Sequence, residues 1–304
     1  MKLNRFFILV LLFVSTGLQA QTLRIATYNM RYSNAEDSAK GNGWGQRYPV
    51  IAKLILFHDW DIFGTQEGKQ NQLVDLKDSL SNYDYIGIGR DDGKEAGEHS
   101  AIFYKTDKFS LLTKGNFWLS TITDRPNKGW DAVLPRICSW GEFKDKKTGF
   151  TFYFFNLHMD HVGVKARAES AKLVLAKIKQ MTGGKPTILT GDFNVDQTSE
   201  SYALINTSGV LKDAYESSPV VYALNGTFNS FHSNSKTDSR IDHIFLTKDF
   251  KVKRYGILTD SYRSANSDTA MTANDAPKEI SVSKYTAREP SDHFPVMTEV
   301  SYGK

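Results

Sequence analysis

Residues 150–158 read Phe-Thr-Phe-Tyr-Phe-Phe-Asn-Leu-His, and residues 187–194 read Thr-Ile-Leu-Thr-Gly-Asp-Phe-Asn. Each stretch begins as a run of aromatic or β-branched residues, which predicts a buried strand. Each run ends in side chains that can bind a metal or move a proton, His158 in the first and Asp192 with Asn194 in the second. Residues i and i+2 share a face of an extended segment, so Asp192 and Asn194 should point to the same side.

The same arrangement recurs along the chain. Strand-like runs at 23–30, 61–66 and 241–246 each contain or precede a polar residue of this kind, and a polar pair precedes the run 296–300. If the strands stack in one sandwich, their polar ends converge on one rim. The residues added in this way are Asn29, Glu67, Asp242, Asp292 and His293.

Strands outnumber clear helices in the sequence. Apolar residues recur at helical spacing from Val164 to Ile178, ahead of the helix-ending pair Gly183-Gly184. Pro49 stands where a second helix can begin. The polar segment 261–278 favours a surface loop. No repeat or interdomain linker stands out, so residues 21–304 are predicted to form one domain.

Residues 1–20 have the composition of a cleaved export signal. Lys2 and Arg5 precede the apolar run 6–14, and a small-residue end follows at 17–20. Nine apolar residues are too few to span a bilayer, which needs about 20. The alternatives are a membrane anchor or a buried first helix. We expect export to the periplasm or extracellular space, no stable membrane insertion, no protein partner and, with Cys138 as the single cysteine, no internal disulfide.

Composition and charge narrow the class of protein. With 40% hydrophobic and 24% charged residues, the 304-residue chain has ordinary globular composition and is not disordered, collagen-like or coiled-coil. The chain has 38 basic and 34 acidic residues, a net charge of +4. Without residues 1–20 it has 36 basic and 34 acidic residues, and the net charge falls to +2. Nonspecific nucleic-acid binding rewards a strong basic excess, so this balance leans toward small or short substrates.

The polar set suits metal-assisted hydrolysis of a phosphoester. Mg²⁺ is a hard cation that takes oxygen ligands, commonly one or two carboxylates together with water and substrate phosphate. Glu67 is the best candidate for a direct carboxylate ligand, and Asn29 and Asp292 would complete the coordination directly or through water.

The reaction also needs a water molecule that is deprotonated and aligned with the leaving oxygen. Asp192, or His293 held by Asp242, can take that proton, and the sequence leaves this choice open. Asn194 can orient the water or a phosphate oxygen. His158, if protonated, can donate to a phosphate oxygen as charge builds in the transition state.

Six short motifs contain these residues and follow one another across nearly the whole chain. They are Thr27-Tyr28-Asn29, Thr65-Gln66-Glu67, Asn156-Leu157-His158, Gly191-Asp192-Phe193-Asn194, Arg240-Ile241-Asp242-His243-Ile244 and Ser291-Asp292-His293-Phe294-Pro295. Because it has these six motifs in this order, the sequence resembles the endonuclease/exonuclease/phosphatase superfamily, which has the DNase I-like fold.

The resemblance implies an α+β fold, a four-layered α/β/β/α sandwich of two mostly antiparallel sheets with the site at one edge. It implies dependence on Mg²⁺ or Mn²⁺, and members differ over which residue is the base. Residue by residue, it places Asn29 and Glu67 at the metal, His158 at the phosphate, Asp192 and Asn194 at the attacking water, and Asp242 paired with His293, with Asp292 nearby.

Two further stretches, 158–167 and 226–231, resemble a secreted bacterial branch that is similar in these motifs to deadenylases and related phosphodiesterases. Arg136 and Arg167 are candidates for contacting phosphate, since a guanidinium forks onto phosphate oxygens, with surface ion pairs as the alternative. Trp44 and Phe228 are candidates for stacking on a base or sugar, with packing as the alternative. His161 and His243 are expected to be supporting or structural residues.

Three functions remain open on the sequence. The first is a metal-dependent phosphodiesterase or nuclease that uses an activated water. The second is a phosphatase or phosphodiesterase for a small head group such as an inositol phosphate, a sugar phosphate or a sphingolipid. The third is a secreted binding protein with a degenerate site. Other hydrolase templates are excluded, because the chain contains no Gly-x-Ser-x-Gly, Gly-x4-Gly-Lys-Ser/Thr or His-Glu-x-x-His motif.

Overall fold

Every strand-like run named from the sequence is a strand in the structure. The computed structural model describes residues 21–222, 224–271 and 277–303, and the predicted export signal lies outside these ranges. The strands are β1 Gln21–Asn29, β2 Ile62–Gln66, β3 Tyr83–Ile86, β4 Ile102–Lys105, β5 Phe109–Trp118, β6 Ile137–Asp145, β7 Thr151–His158, β8 Thr187–Asp192, β9 Lys212–Asp213, β10 Val221–Tyr222, β11 Asp242–Leu246, β12 Lys251–Ile257, β13 Tyr262–Met271, β14 Val282–Arg288 and β15 Val296–Tyr302.

The helices are fewer, as expected, and one begins earlier than the sequence indicated. The helix predicted to start at Pro49 begins at Trp44, so the proline lies inside it and that turn lacks one backbone donor. Burial of Ile51, Leu54 and Ile55 on the same helix outweighs this loss. The helices are α1 Ala35–Ala39, α2 Trp44–Phe57, α3 Gln70–Ser79, α4 Val164–Thr182 and α5 Glu200–Asn206. In the described ranges no helix is both long and apolar enough to cross a bilayer.

The strands form two large sheets and one hairpin. The first sheet has the order β10-β12-β15-β1-β2-β4-β3 and the second the order β5-β6-β7-β8-β11-β9. Most neighbouring pairs are antiparallel, and the parallel pairs are β1–β2, β10–β12 and β7–β8. Strands β13 and β14 pair with each other outside both sheets, so much of the segment expected to be a surface loop is a strand. Its polar residues gave no alternating hydrophobic signal.

The core has three parts, which correspond to the interfaces of a four-layered sandwich. Helices α2 and α3 pack on the outer face of the first sheet, and α4 and α5 pack on the outer face of the second. The predicted α/β/β/α architecture is therefore confirmed. The part between the two sheets includes Leu23, Ile25, Ile62, Phe143, Phe152, Phe154, Ile188, Ile244 and Val296.

The strand directions bring the predicted polar residues to one edge of the sandwich. Parallel strands β1 and β2 both end there, at Asn29 and just before Glu67. Parallel strands β7 and β8 end there as well, with His158 opposite Asp192 in the register. Asp242 begins β11 and is the antiparallel partner of Asp192.

A buried amide behind this edge ties the two sheets together. Asn156 is fully buried and donates from Nδ2 to the carbonyls of Thr65 and Ala101 at 2.8 and 2.9 Å. Its Oδ1 accepts from Gln66 Nε2 at 2.7 Å and from Thr190 Oγ1 at 3.0 Å. All four hydrogen-bonding positions of the amide are thus used, which fixes the second sheet against the first directly below the site.

We expect Asn156→Ala to lower the free energy of unfolding by about 3 kcal/mol, because it leaves several buried donors and acceptors unpaired. Urea denaturation at neutral pH measures this change. Asn71→Ala, at an exposed position on α3, is the matched control and should shift stability by less than about 0.5 kcal/mol. A loss below about 1 kcal/mol for Asn156→Ala would show that the inter-sheet network contributes little.

Candidate active site

Asn29 is the centre of the polar cluster at the sheet edge. Its fully buried side chain places Nδ2 at 3.0 Å from Glu67 Oε1, 2.9 Å from Asp192 Oδ2 and 3.4 Å from His293 Nε2. Its Oδ1 accepts from the backbone N–H of Arg31 at 3.0 Å. Asn29 therefore brings the expected metal side and water side together. It faces both carboxylates as a donor, and the metal-ligand role assigned to it from the sequence stays a prediction.

Three residues within two positions of the strand ends at this edge have left-handed backbones. Arg31, Glu67 and Asn194 have φ of 55°, 64° and 50°. Such conformations cost free energy in residues other than glycine. They are found most often at active sites and ligand-binding sites, where the surrounding structure holds them in place. The turn at Glu67 directs its carboxylate back to the end of β1, where Oε1 accepts from Asn29 and Oε2 accepts from the Tyr32 backbone at 3.1 Å.

His293 is held by an acidic partner on each side. Its Nδ1 lies 2.9 Å from Asp242 Oδ2, and its Nε2 lies 3.8 Å from Asp192 Oδ2. Burial opposes the charged imidazolium, but the charge and hydrogen bond of Asp242, reinforced by Asp192 and Asp292, raise the pKa of His293 well above its usual range. Asp242 thus fixes both the orientation of His293 and its charge.

Asp192 is buried with its own partners in place. Its Oδ1 accepts from the Asn194 backbone N–H at 2.9 Å, while Oδ2 faces Asn29. Burial first, and then the charge of Asp242, raise the pKa of Asp192 to about 7, although His293 and Asn29 act in the opposite direction. A carboxylate with a pKa near neutrality is well matched to accepting a proton from water.

His158 forms the next part of the wall. Its Nε2 lies 3.1 Å from Asn194 Nδ2 and 3.6 Å from Asp192 Oδ2, and its Nδ1 lies 3.7 Å from Glu98 Oε2. Burial, together with the charges of Arg136 and Arg90, lowers the pKa of His158 well below its usual range. The imidazole is therefore neutral at pH 7, and the protonated donor considered from the sequence would require an anion bound beside it.

Arg136 reaches the same cavity from the start of β6. It is 4% exposed, and its Nε lies 3.4 Å from Asp160 Oδ2. Its Nη2 contacts His161 Nδ1 at 2.9 Å. Arg136 thus lines the cleft with His161 beside it, and its predicted contact with a phosphate stays a prediction.

These groups line one open cleft of about 930 Å³, a size typical of small-molecule sites. Phe228 is 43% exposed on its wall, and its ring centre lies 5.1 Å from that of His293. Of the residues predicted from the sequence, those lining the cleft are Glu67, Arg136, His158, Asp192, Asn194, Phe228, Asp292 and His293, with Asn29 and Asp242 directly behind them.

Two predicted substrate contacts are placed elsewhere. Trp44 is 6% exposed in the core beneath α2, where its Nε1 donates to Asp75 Oδ2 at 2.8 Å, so its ring is not available for stacking. Arg167 donates from Nη1 to the Asp160 carbonyl at 3.0 Å and does not line the cleft. The closeness of an aromatic or basic residue to a site motif in the sequence does not show on which face of its helix that residue lies.

Two further residues at the site have roles that the sequence did not predict: Arg47, which was considered only for stacking on a base or sugar, and Glu98, which was not singled out. Arg47 is fully buried behind the cleft and donates to the carbonyls of Met30, Arg31, Asn42 and Pro290. A lone arginine in an amphipathic helix gives no signal of such a role. Glu98 lines the cleft, and burial raises its pKa to about 7 against the opposing charge of Arg90. It lies in a connection without a strand-end pattern, which was the signal used for the other residues.

A buried carboxyl just before Asp292 predicts a pH-dependent stability. Burial raises the pKa of Glu289 from 4.5 to about 7, with the charge of Arg263 opposing the shift and that of Asp260 adding to it. The unfolded chain therefore loses this proton at lower pH than the folded protein, so the stability contributed below pH 4.5 is lost as the pH rises toward 7. We expect Glu289→Gln to gain stability relative to the wild type over this interval, measured by urea unfolding at about pH 4, 6 and 8.

The exposed Glu279, on the connection between β13 and β14, supplies the control for that series. Glu279→Gln should follow the wild-type pH profile. A constant difference in stability between Glu289→Gln and the wild type from about pH 4 to 8 would contradict the assignment.

The chemistry of the donor set fits a divalent cation. Glu67 and Asp292 both line the cleft, and Asp292 has a raised pKa because it is buried and because the charge of Glu67 repels its own. A cation between two such carboxylates would relieve that repulsion. Asp192, Asp242 and His293 also offer ligand atoms within 4.8 Å of one another. However, His293 Nδ1 and Asp242 Oδ2 already satisfy each other, which suits the handling of a proton better than coordination.

The sequence model of the endonuclease/exonuclease/phosphatase family matches residues 26–293, which include every cleft residue described above. The chain belongs to this family. Members are phosphoester hydrolases, so the protein is an enzyme of that class. The prediction of a secreted branch within the family is not tested by this match.

Solved structures and one further relative are similar to this chain over most of its length. A family protein from Bacteroides thetaiotaomicron is 59% identical, covers 94% of this chain and 99% of its own, and superposes with a TM-score of 0.87. A mannosyl-6-phosphatase from the same organism is 60% identical over 91% of this chain and 99% of its own, with a TM-score of 0.85. An uncharacterised mimivirus protein is 29% identical over 227 residues, 71% of this chain and 76% of its own.

Proposed function

We propose that the protein is a divalent-metal-dependent phosphatase that releases inorganic phosphate from a small sugar phosphate. The observation that carries this proposal is its 60% identity, over 99% of the other chain's length, to a protein described as a mannosyl-6-phosphatase. Of the hypotheses drawn from the sequence, this favours the small head group over the nuclease. The degenerate binding protein is disfavoured by the family match and by the cluster around Asn29.

The cleft chemistry supports hydrolysis by water. Asp192 would take the proton of the attacking water at Oδ2, and Asn29 and the Asn194 backbone hold that carboxylate in place. His293, kept charged by Asp242, would stabilise the negative charge that develops nearby. The alternative in which His293 is the base is less well supported, because a histidine that already carries its proton cannot accept another.

Glu67 and Asp292 would hold the metal, with Mg²⁺ or Mn²⁺ as the cations that match oxygen ligands of this kind. A bound cation would polarise the phosphoryl oxygens and neutralise charge in the transition state. The carboxylates of Glu67 and Asp292 are oriented for this without substrate, by the backbone N–H of Tyr32 and by Arg31 Nη1 at 3.5 Å, respectively.

Two observations support a small substrate. The cleft is of the size that encloses a sugar phosphate rather than a duplex. The net charge of +4 for the full chain is not the strong basic excess that nonspecific binding of a nucleic-acid backbone rewards. The phosphodiesterase or nuclease remains the second candidate, because the exposed Phe228 ring in the cleft would serve a nucleobase as well as a sugar.

A substrate panel tests the proposal. Purified residues 21–304 with Mg²⁺ or Mn²⁺ should release phosphate from mannose 6-phosphate and other hexose 6-phosphates. They should do so at least about 100-fold more efficiently, by kcat/KM, than they cleave bis-(p-nitrophenyl) phosphate or single-stranded DNA. Preferential cleavage of DNA or the diester would replace this proposal with the nuclease.

We also propose that residues 1–20 direct export and are cleaved, as their sequence predicts. Expression of the full chain in a Gram-negative host, followed by fractionation and N-terminal sequencing, tests this. Periplasmic or extracellular protein beginning at Gln21 is the expected result. An intact N-terminus in the cytosolic fraction would contradict it.

A further inference from the structure

A network of polar side chains lies on the wall of the cleft beside His158. The hydrolysis described under the proposed function does not use it. Its members are Arg136, Asp160 and His161, and Asp160 and His161 lie within the motif His158-Met159-Asp160-His161. We propose that Arg136 and His161 form an anion-binding subsite for the terminal oxygens of a phosphomonoester, which makes the enzyme discriminate against diesters. This inference rests on the proposed phosphatase function and names the residues that select its substrate class.

Asp160 anchors the network. The side chain is 1% exposed, and its Oδ1 accepts from the backbone N–H groups of Val162 and Gly163 at 3.0 and 2.8 Å. Its Oδ2 contacts Arg136 Nε at 3.4 Å. The backbone N–H groups of the loop before α4 thus fix the Asp160 carboxylate, and this carboxylate in turn fixes the guanidinium of Arg136.

Arg136 is held with one donor unused. Its Nε is directed to Asp160 and its Nη2 to His161, while the buried Nη1 has no hydrogen-bond partner in the described part of the chain. The guanidinium is 4% exposed and lines the cleft. Leaving a buried cationic donor without a partner is unfavourable. A guanidinium that lines the cleft is also suited to hydrogen bonds with phosphate oxygens.

The contact with Arg136 sets the tautomer of His161. A guanidinium only donates hydrogen bonds, so Nδ1 of His161, at 2.9 Å from Arg136 Nη2, must be the acceptor. In the neutral ring the proton then lies on Nε2. His161 is exposed and lines the cleft together with Arg136, so its Nε2–H is a further donor on the same wall as the guanidinium.

Donors from Arg136 and His161 on one wall of the cleft match a phosphomonoester better than a diester. A monoester dianion has three terminal oxygens, whereas a diester has two terminal oxygens and a second carbon-bearing arm. The charge and hydrogen bonds of Arg136 and His161 favour the additional oxygen. An ester arm in that position would leave both donors unsatisfied, which is how a polar site rejects an analogue that lacks the matching group.

Two substitutions of His161 separate its two nitrogen atoms. His161→Gln places an amide donor where Nε2 lies, and His161→Asn keeps an acceptor near Nδ1 but does not reach the phosphate position. His58→Asn, at the end of α2 and outside the cleft, is the control. Rates are measured with p-nitrophenyl phosphate and bis-(p-nitrophenyl) phosphate, and inorganic phosphate binding is measured by calorimetry with Mg²⁺ present.

We expect His161→Asn to lower kcat/KM for the monoester about tenfold more than for the diester and to weaken phosphate binding by a similar factor. His161→Gln should retain most of the monoester preference, and His58→Asn should match the wild type. Equal losses on both substrates, or unchanged phosphate affinity in His161→Asn, would overturn the subsite. A wild-type enzyme that prefers the diester would instead refute the proposed phosphatase, and the phosphate affinities would still decide the subsite.

Discussion

Asp192→Asn is expected to lower kcat by about 10³-fold, the size of a lost general base. The substitution preserves the shape of the side chain, but an amide oxygen cannot take a proton from water at neutral pH. Asp192 is the residue best prepared for that step, since burial and the charge of Asp242 raise its pKa to about 7. Steady-state rates with mannose 6-phosphate and Mg²⁺ measure the effect.

The control for Asp192→Asn is Asp196→Asn, four residues further along the chain. Asp196 bonds to Thr198 and Ser239 and does not line the cleft, so this variant should keep the wild-type kcat. Thermal melting of both variants checks that each remains folded. A folded Asp192→Asn enzyme within about tenfold of the wild-type rate would exclude Asp192 as the base and leave His293.

Glu67→Gln is expected to have the second large effect, through the metal. A neutral amide is a much weaker ligand for a hard cation than a carboxylate, so the Mg²⁺ concentration for half-maximal activity should rise at least about 100-fold. The amide oxygen of the substituted side chain could still accept from the Tyr32 backbone, so the loop after β2 should keep its position. Activity titrations with Mg²⁺ and direct Mn²⁺ binding by electron paramagnetic resonance measure the change.

Glu95→Gln, an exposed carboxylate in the connection between β3 and β4, provides the matched control for the charge lost at Glu67. It should show wild-type Mg²⁺ activation. If Glu67→Gln also kept wild-type Mn²⁺ affinity, Glu67 would not be a metal ligand, and the carboxylate of Asp292 would be the next candidate.

The sequence predicted which polar side chains meet at one edge where they follow an apolar strand pattern; their roles stay predictions. Glu67, His158 and Asp192 each follow an apolar run, and parallel pairing of β1 with β2 and of β7 with β8 carries those ends to one edge. The four-layered fold was implied by the family resemblance of the six motifs and not by the strand pattern alone. Strands β5 and β12 were missed because exposed polar residues interrupt their hydrophobic pattern.

The errors have a common physical origin, which is that a sequence pattern does not give side-chain direction across the tertiary fold. Trp44 faces the core, and Arg167 bonds to a nearby carbonyl, although both stand near site motifs. Arg47 holds four backbone carbonyls behind the cleft, and only the folded arrangement brings those carbonyls together. The contact of His161 with Arg136, likewise, is visible only in the folded arrangement.

The most direct test of the central claim is phosphate release from mannose 6-phosphate by the wild-type protein before and after removal of divalent cations. Treatment with EDTA should abolish release, and added Mg²⁺ or Mn²⁺ should restore it in the wild type but not in Glu67→Gln at the same concentration. Undiminished release in EDTA would contradict the account, because the Asn29-centred cluster would then hydrolyse the ester without the cation that its carboxylates are arranged to hold.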